Sequence, residues 1–258
     1  MLRLDRKQLR RILNFWKEQA TCFALLPSSR SWSFEPGKTI LSLSPHSDDD
    51  VIGWGGWLHL NHLQGNTIVS VCLTDGSGGG GTLYPDKEEL IRLRREEFRK
   101  AAQVIGTSEV LFWDEPDGQL KPNRNLVNRL QALMDRVGPD IVVLPSFLDA
   151  HPDHQATGEL LASSLDVKTD RDIICLQGEI WTPLPFFNVH SLIDPVLELK
   201  QRAIRSFSTQ LCQADFLEAA IGLARYRAVF ARAQGRHIEC FLATPFDEYV
   251  KLWKLLKR

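Results

Sequence analysis

The segment KTILSLSPHSDDDVIGWGG, residues 38–56, decides the fold and holds the first polar cluster of the chain. Its apolar start, KTILSLS, predicts a buried strand, and the following WLHLNHLQ, residues 57–64, predicts a helix. Between the two lie one histidine, three consecutive aspartates and a glycine cluster. Adjacent carboxylates repel one another, so solvent, a helix N-terminus or a metal ion must supply compensating positive charge.

The alternation of strand and helix continues along the chain. Apolar and β-branched runs predict further strands, and amphipathic runs predict further helices. The predicted strands are 66–75, 109–113, 140–146 and 172–181, and the predicted helices are 87–106, 125–137 and 154–165. This spacing is typical of an α/β, Rossmann-like fold with a mostly parallel sheet and helices on both faces. A lead-in helix over 5–20 and a largely helical part from about 195, with one strand at 236–243, complete the prediction.

Composition and charge narrow the class of protein. The 258 residues are 43% apolar and 24% charged with a net charge of −1, so no overall field favours nucleic acid or an acidic membrane. The basic segments LRLDRKQLRRIL and KLWKLLKR predict solvated helix faces, with peripheral membrane contact as the alternative. Five scattered cysteines without a CxxC pair indicate reduced thiols, and TCFALLP is too short for a signal peptide or a membrane span. We therefore expect a cytoplasmic protein without an integral membrane segment.

Polar clusters follow three of the predicted strands, at the edge where an open α/β sheet binds its ligands. They are PHSDDD, TDGSGGGG and PSFLDAHPDH. His46 and Asp49 are three residues apart in the first, and HPDH, residues 151–154, supplies two imidazoles in the last. Two histidines and one carboxylate with an open position form a catalytic zinc pattern. In such a site the spare Asp48 can accept a proton, and the spare histidine can face a developing oxyanion.

Each cluster also has a simpler explanation. Aspartates at a helix N-terminus are favourable by themselves, and HPDH can be a turn with solvated histidines. A magnesium site made by the three aspartates is a further alternative, although it gives the histidines no role. The occurrence of both clusters at strand ends of one sheet favours a shared metal site. The spacing alone leaves open which histidine of HPDH is the ligand.

The two clusters resemble the paired signatures of LmbE-like (PIG-L) de-N-acetylases, which include GlcNAc-phosphatidylinositol de-N-acetylases and the mycothiol and bacillithiol pathway deacetylases. SPHSDDDVIGWGG is similar to (A/S)HPDDExxGxGG, and DAHPDH is similar to DxHPDH. Weaker similarity covers LTDGSGG, RREEFRKAAQVIG and WDEPDGQL, and it continues to about residue 245. The resemblance implies a single LmbE-like deacetylase domain over 1–258 with its core at about 38–245.

The resemblance implies a metal site. His46, Asp49 and His154 would be the metal ligands. Zinc would be the default cofactor, and ferrous iron would fit the same His2Asp set.

The resemblance also implies catalytic and supporting roles. Asp48 would be the general base, and His151 would stabilise the oxyanion or protonate the leaving amine. Asp153 would orient His151. Arg94 and Asp117 match positions that contact the substrate or support the site.

The sequence departs from the signatures at three places. Pro45 precedes His46 and Ser47 follows it, so the proline of the first signature is displaced. Asp50 replaces the usual glutamate, which leaves its side chain one methylene short. Asp149 stands where some members have a tyrosine. None of these changes removes a ligand or the base, so we expect activity, and the changes leave the substrate preference open.

The implied reaction is hydrolysis of the N-acetyl group of a GlcNAc-type amino sugar or its glycoside, with release of acetate. The expected partner is this small-molecule substrate and no nucleic acid, and a homo-oligomer is compatible with the sequence. Two alternatives are a non-catalytic, metal-containing binding protein and a zinc amidase that acts on a non-sugar amide.

A dinucleotide-dependent oxidoreductase is a weaker alternative. The tract GSGGGG, residues 76–81, satisfies GxGxxG, but it follows the second strand and does not open directly into a helix. It also lacks an acidic strand end about 20 residues further on. We interpret the tract as a flexible loop that lets a substrate approach the site.

Overall fold

The computed structural model describes residues 29–80, 83–164 and 172–256, so the helix expected over 5–20 lies outside the described residues. The strands are β1 (Arg30–Ser31), β2 (Thr39–Ser44), β3 (Thr67–Thr74), β4 (Glu109–Glu115), β5 (Ile141–Pro145), β6 (Ile174–Gly178), β7 (Val189–Leu192) and β8 (Ile238–Pro245). The helices are α1 (Asp49–Leu63), α2 (Lys87–Ile105), α3 (Arg124–Val137), α4 (Pro152–Ser164), α5 (Leu197–Ile204), α6 (Ser208–Leu211), α7 (Phe216–Ala231) and α8 (Phe246–Leu256).

The described strands form one mixed sheet in the order β1-β7-β8-β6-β5-β2-β3-β4. All neighbouring pairs are parallel except those made by β8, which runs antiparallel to β6 and to β7. The mostly parallel sheet predicted from the sequence is therefore confirmed. Because β2 lies between β3 and β5, the carboxyl ends of β2 and β5 are neighbours. This places the loop with His46 beside the loop with His154.

Helices cover both faces of the sheet because alternate residues of each buried strand point to opposite sides. Leu41 and Leu43 of β2 belong to one hydrophobic core, which also contains residues of α3, α4 and α8. Ile40 belongs to the other core, together with Trp57 of α1 and Phe98 of α2. The continuous apolar character of the central strands follows from burial on both faces.

Local signals set the helix ends that the sequence predicted well. Asp86 precedes α2, and its carboxylate accepts hydrogen bonds from the backbone N–H groups of Glu88 and Glu89 at 3.0 and 3.1 Å. Gly106 follows the helix with a φ of 87°, a left-handed conformation that glycine adopts without strain. The predicted range of 87–106 therefore differs from the observed helix by one residue.

The structure differs from the sequence-based expectation in three elements. The helix expected over 57–64 begins at Asp49, so the second and third aspartates of the first cluster lie inside α1. The short strands β1 and β7 were not predicted. Each has four residues or fewer, too few for a periodic pattern to stand out. The strand expected over 236–243 is β8, but nothing in its local pattern indicated that it runs antiparallel.

Two general expectations can be compared with the described residues. Every helix in 29–80, 83–164 and 172–256 is too short or too polar to serve as a membrane span. Within the same ranges Cys72, Cys175, Cys212 and Cys240 are free thiols, as their scattered positions predicted.

Candidate functional site

The loop after β2 folds back on itself through Asp49, the first residue of α1. The Asp49 carboxylate accepts a hydrogen bond from the backbone N–H of His46 at 2.8 Å. The same oxygen, Oδ2, lies 3.0 Å from His46 Nδ1. The carbonyl of Pro45 accepts hydrogen bonds from the backbone N–H and the hydroxyl of Thr74 at 3.0 and 2.8 Å, which ties the loop to the end of β3. The displaced proline of the signature is therefore accommodated by the neighbouring strand.

The loop after β5 is held by Asp149, a residue to which the sequence assigned no role. One carboxylate oxygen accepts the backbone N–H of His151 at 2.9 Å. The other accepts the backbone N–H groups of Trp181 and Thr182 at 3.0 and 3.1 Å. Pro152 then opens α4, a helix position that proline suits, and brings His154 into the interior with no solvent exposure.

Three side-chain atoms from the two loops converge on one point. His46 Nδ1 lies 3.0 Å from Asp49 Oδ2 and 3.4 Å from His154 Nε2, and these last two atoms are 3.3 Å apart. Ligand atoms around a tetrahedral zinc ion, with bonds of roughly 2.0–2.1 Å, are separated by about 3.3 Å. All three residues are buried. The donor set and its spacing thus fit one divalent metal ion.

The nitrogen of each imidazole that points away from this triad faces a carboxylate. His46 Nε2 lies 3.2 Å from Asp153 Oδ2, and His154 Nδ1 lies 3.2 Å from Asp149 Oδ1. A carboxylate beside one ring nitrogen favours a proton there and leaves the lone pair on the other nitrogen. Both rings are therefore oriented with their lone pairs toward the triad, an arrangement that metal-binding histidines generally show.

Other groups of donor atoms in the described residues overlap this triad. His46, His151 and His154 form one set, and His46, Asp117 and Asp153 form another, each with ligand atoms within 4.8 Å of one another. In the second set the Asp153 carboxylate already accepts the backbone N–H groups of Gly118 and Leu120, at 2.7 and 3.0 Å. Both sets share His46 with the triad, but in the second set the carboxylates of Asp117 and Asp153 face His46 Nε2, the nitrogen that points away from the triad.

The charges of the triad are strongly interdependent. Burial alone would lower the pKa of His154, but the neighbouring carboxylates of Asp49 and Asp149 raise it to about 9. Burial is likewise outweighed at His46, whose pKa the carboxylates of Asp49, Asp117 and Asp153 raise well above its usual range. In the opposite sense, the two imidazoles hold the pKa of Asp49 far below its usual range despite burial. The cluster can therefore exchange imidazole protons for a cation.

Asp48 and Arg94 lie beside the triad in the same cavity. Asp48 precedes α1 but makes no side-chain cap, so its carboxylate is free for another role. Burial raises the pKa of Asp48, and the Arg94 guanidinium, 3.8 Å away, opposes that rise. Arg94 also lies 3.5 Å from Asp117, whose pKa His46 and Arg94 lower against the effect of burial. The structure thus brings together both residues that the sequence assigned least firmly, Arg94 and Asp117.

His151 stands at the mouth of the cavity and is half-buried. Burial, together with the charges of His46 and His154, lowers its pKa, so the ring is neutral at pH 7. The backbone N–H of Asp153 donates to His151 Nδ1 at 3.2 Å, so the ring proton is on Nε2. Asp153 therefore contacts His151 through its backbone, whereas its carboxylate contacts His46. We had expected the Asp153 side chain to orient His151, and the structure shows that only the Asp153 backbone contacts this ring.

The glycine tract packs against charged side chains of the site. A Cβ atom at Gly79 would lie 2.6 Å from Arg94 Nη1, and one at Gly76 would lie 2.9 Å from Arg94 Cδ. The backbone N–H of Gly78 donates to Asp117 at 3.0 Å, and Arg94 donates to the carbonyl of Gly76 at 2.7 Å. The glycines therefore provide close approach for the Arg94 and Asp117 side chains, a more specific role than the flexible loop that we expected.

Asp50, the departure from the usual glutamate, is buried and does not line the cavity. Burial raises its pKa to about 8, so the carboxyl group is neutral at pH 7. Its Oδ1 atom is buried and has no hydrogen-bond partner among the described residues. The short side chain thus leaves one polar atom unpaired, as the missing methylene suggested.

The triad opens into a cavity of about 460 Å³, a volume typical of pockets for small-molecule ligands. Its lining includes Gln210, which is 8% exposed and whose Nε2 atom has no hydrogen-bond partner among the described residues. Gln210 belongs to the segment 197–211, where the sequence has only weak similarity to the family, and it was not among the predicted site residues. Much of the remaining wall comes from α7.

The sequence and the fold are similar to those of known de-N-acetylases. A family model described as PIG-L, GlcNAc-PI de-N-acetylase, matches residues 41–165. Diacetylchitobiose deacetylase of Thermococcus kodakarensis is 29% identical over 193 residues, which cover 69% of this chain and 72% of that protein. The structure of N,N'-diacetylchitobiose deacetylase from Pyrococcus horikoshii superposes with a TM-score of 0.71 and 25% identity, over 82% of this chain and 85% of that one.

A second kind of enzyme shares part of the sequence. The 4-oxalmesaconate hydratase of Pseudomonas putida is 33% identical over 121 residues, which cover 45% of this chain and 46% of that protein. The shared architecture therefore supports more than one reaction, and the chemistry must be argued from the site.

Proposed function

We propose that this chain, whose residues 41–165 match the PIG-L family model, is a metal-dependent N-deacetylase of GlcNAc-type amino sugars or their glycosides. The observation that carries the proposal is the carboxylate of Asp48 in one cavity with His46 and Asp49, whose ligand atoms lie within 3.4 Å of the buried His154 Nε2. Similarity to diacetylchitobiose deacetylase over most of both chains supports the substrate class.

The metal would be held by His46, Asp49 and His154. Zinc is our proposed metal, and ferrous iron is the alternative that the same ligands would accept. A divalent cation there supplies Lewis acidity to a carbonyl oxygen and to a water molecule. The carboxylates of Asp153 and Asp149, each 3.2 Å from the outer nitrogen of one imidazole, would favour a proton there and leave the ligand lone pairs facing inward.

Asp48 would act as the general base. Burial raises the pKa of Asp48, which suits a group that must both accept and return a proton. The positive charge of Arg94 limits this rise, so it favours the carboxylate form that acts as a base. Asp48 would take a proton from the attacking water and return it to the leaving nitrogen as the amide C–N bond breaks. The products are acetate and a primary amine.

His151 would stabilise the tetrahedral oxyanion. Its neutral ring carries a proton on Nε2, so it can donate a hydrogen bond without bearing a charge. Because the ring is neutral at pH 7, we assign proton delivery to the amine chiefly to Asp48. The position of His151 at the cavity mouth also suits contact with the substrate carbonyl.

The experiment assays the purified protein after removal of metal and reloading with zinc or with ferrous iron. Each form is incubated with free GlcNAc, a simple GlcNAc glycoside and N,N'-diacetylchitobiose, and new primary amine and acetate are measured in parallel. Asp48→Asn is tested beside Asp135→Asn, an exposed aspartate on α3 that serves as the matched control. Bound metal is determined for every variant.

We expect equal amounts of amine and acetate, dependence on metal, and a loss of turnover in Asp48→Asn with metal retained. General-base removal typically costs about 10²–10⁴-fold in rate. Full activity of Asp48→Asn would exclude that residue as the base. Metal bound at one per chain without amine release would favour the binding-protein alternative or a non-sugar amide.

The hydratase relative defines the competing reaction for the same protein. Hydration of 4-oxalmesaconate is measured in the same samples from the decrease in its ultraviolet absorbance. Hydration without amine release would replace the deacetylase proposal. The cytoplasmic location inferred from the cysteines and the homo-oligomer compatible with the sequence stay predictions.

A further inference from the structure

One side of the cavity has polar side chains whose hydrogen-bonding groups are engaged within the protein. Glu239 accepts the backbone N–H groups of Gly56 and Trp57 at 2.9 and 2.6 Å, and it pairs with Lys200 at 2.6 Å. Lys200 also donates to the carbonyl of Ile52 at 2.8 Å. These contacts leave little capacity for recognising polar groups of a ligand.

The second buried ion pair on this side is engaged in the same way. Glu179 lines the cavity and pairs with Arg227 through a short contact. Glu179 also accepts the backbone N–H of Leu184 at 2.5 Å, and Arg227 donates to the carbonyl of Leu184 at 2.6 Å. A ligand hydroxyl placed here would lose its water partners and gain few protein partners, which is unfavourable.

The rest of this side is apolar. One face of α7 contributes Phe216, Ala219, Ala220, Leu223 and Ala224 to the lining. Trp181 extends the wall to the mouth, where it lies edge-on to Phe216 with ring centroids 5.8 Å apart and stacks with His151 at an interplanar angle of 26°. We call this surface, formed by these five side chains with Trp181, the α7 wall. Trp181 is 57% exposed, so the apolar surface continues out of the cavity.

Arg94 and Gln210, which both lie beside Gly79, form a polar part of the lining near Asp48. Gln210 Nε2 and Arg94 Nε are both buried and have no hydrogen-bond partner among the described residues. Both residues line the cavity, and Arg94 lies 3.8 Å from Asp48. A sugar ring placed beside Asp48 would therefore meet these polar side chains and not the α7 wall.

From this division we infer that the substrate is an N-acetyl amino sugar with an apolar aglycone, an alkyl or aryl group that lies along the α7 wall while the sugar ring faces Gln210 and Arg94. The inference rests on the proposed deacetylase function and adds the chemistry of the aglycone. A polar second sugar in the same place would be desolvated against a surface that offers it few hydrogen bonds.

The test compares four substrates on the metal-loaded protein: the methyl, butyl and octyl β-glycosides of GlcNAc, and N,N'-diacetylchitobiose. Each methylene transferred from water to an apolar surface gains up to about fourfold in binding, so we expect kcat/KM to rise at least tenfold from methyl to butyl. We expect N,N'-diacetylchitobiose to be a poorer substrate than the butyl glycoside. Equal kcat/KM for methyl and butyl glycosides, or preference for N,N'-diacetylchitobiose, would overturn the inference.

Variants of α7 test whether the preference for the butyl over the methyl glycoside depends on the α7 wall. Leu223→Gln should lower the butyl-to-methyl ratio of kcat/KM toward one, and Leu223→Met should restore it. Val229→Gln is the matched control, because Val229 is on the same helix but 70% exposed and outside the cavity lining, and it should keep the wild-type ratio. If Leu223→Gln does not fold, Ala219→Gln on the exposed part of the wall replaces it. An unchanged ratio in a folded wall variant contradicts the role of the α7 wall.

A separate binding measurement tests the apolar subsite in case the protein does not deacetylate any of these glycosides. If no glycoside is deacetylated, calorimetric titration of the same protein with the methyl and butyl glycosides measures their dissociation constants. At least tenfold tighter binding of the butyl glycoside would support the apolar subsite in a protein that does not deacetylate. Equal binding, or no binding of either glycoside, would refute the subsite as well.

Discussion

The buried pair of Lys200 and Glu239 gives the sharpest prediction about stability, because the two side chains form hydrogen bonds with backbone groups where helix α1 is interrupted. Trp54 has non-helical angles, with φ of −143° and ψ of 22°, so the helix is interrupted close to the triad. The backbone N–H of Gly56 donates to Glu239, and the carbonyl of Ile52 accepts from Lys200. In an unbroken helix these two backbone groups would bond to each other.

Removing either partner should be costly. Lys200→Met leaves the Glu239 carboxylate buried without a cation, and Glu239→Gln leaves the Lys200 ammonium buried without an anion; the two residues are 1% and 4% exposed. Loss of one member of a buried pair costs about 3–5 kcal/mol in the free energy of unfolding. For a domain of this size that corresponds to a fall in Tm of roughly 2–4 °C per kcal/mol.

The double variant should be much less destabilised than the sum of the single changes. With both charges removed, the remaining loss comes from imperfectly bonded backbone groups at the helix break, at about 1–3 kcal/mol for each unsatisfied group. We therefore expect an interaction energy of several kcal/mol between Lys200 and Glu239, beyond the roughly 0.5–3 kcal/mol found for most contacting residues.

The assay is denaturant unfolding of the metal-free protein in the presence of a chelator, since bound metal would add its own contribution to stability. Lys251 and Asp247 provide the matched control, because they pair at the same distance, 2.6 Å, but with side chains that are 65% and 45% exposed. Lys251→Met and Asp247→Asn should each change stability by less than about 1 kcal/mol. Additive effects of the Lys200 and Glu239 substitutions, within about 0.5 kcal/mol, would refute the reasoning.

Three further predictions concern the site. Gly79→Ala should lower kcat/KM about tenfold, a loss of about 1.4 kcal/mol, because its methyl group displaces Arg94. Gly222→Ala is the control, because a Cβ there meets no atom within 4 Å, and equal kinetics of the two variants would contradict the prediction. Although burial lowers the pKa of His154, neighbouring carboxylates raise it to about 9, so at pH 7 zinc binding should release protons and tighten as pH rises toward that value. Calorimetry in buffers of different ionisation enthalpy measures the release, and identical heats would disprove it. Asp149→Asn should weaken metal binding about 10–100-fold in a chelator competition, and unchanged affinity would exclude its orienting role.

The sequence predicted the fold best where local pattern and burial act together. The central strands β2, β3 and β5 are apolar throughout because both of their faces are covered, and their predicted limits differ from the observed ones by one residue. The direction of β8 depends on how the chain returns through the preceding helices to the sheet, and periodicity carries no information about that path. The start of α1 was missed because aspartates and glycines weaken a helical pattern that tertiary contacts stabilise.

The residues of the candidate site divide in the same way. His46 and Asp49 are close in sequence, and the neighbouring loop that holds His154 follows from the parallel order of the strands, so both parts could be predicted together. Gln210 could not be predicted, because its position in the cavity depends on the packing of a separate helical segment. The contact of Asp149 with His154 depends on the conformation of a loop, which the sequence pattern did not specify.

Arg94 and Arg227 show why contacts decide between structural and substrate-binding roles. Both arginines are buried, at 3% and 6% exposure. Arg227 contacts Glu179 through two of its nitrogens and also donates to the carbonyl of Leu184, so its role is to hold two segments of the fold together. Arg94 keeps its Nε atom without a partner among the described residues, although its guanidinium lies in the cavity beside Asp48. A buried donor without a partner is unfavourable in a folded protein. The position of the Arg94 guanidinium beside Asp48 supports our proposal that Arg94 binds the substrate, whereas the contacts of Arg227 hold the fold together.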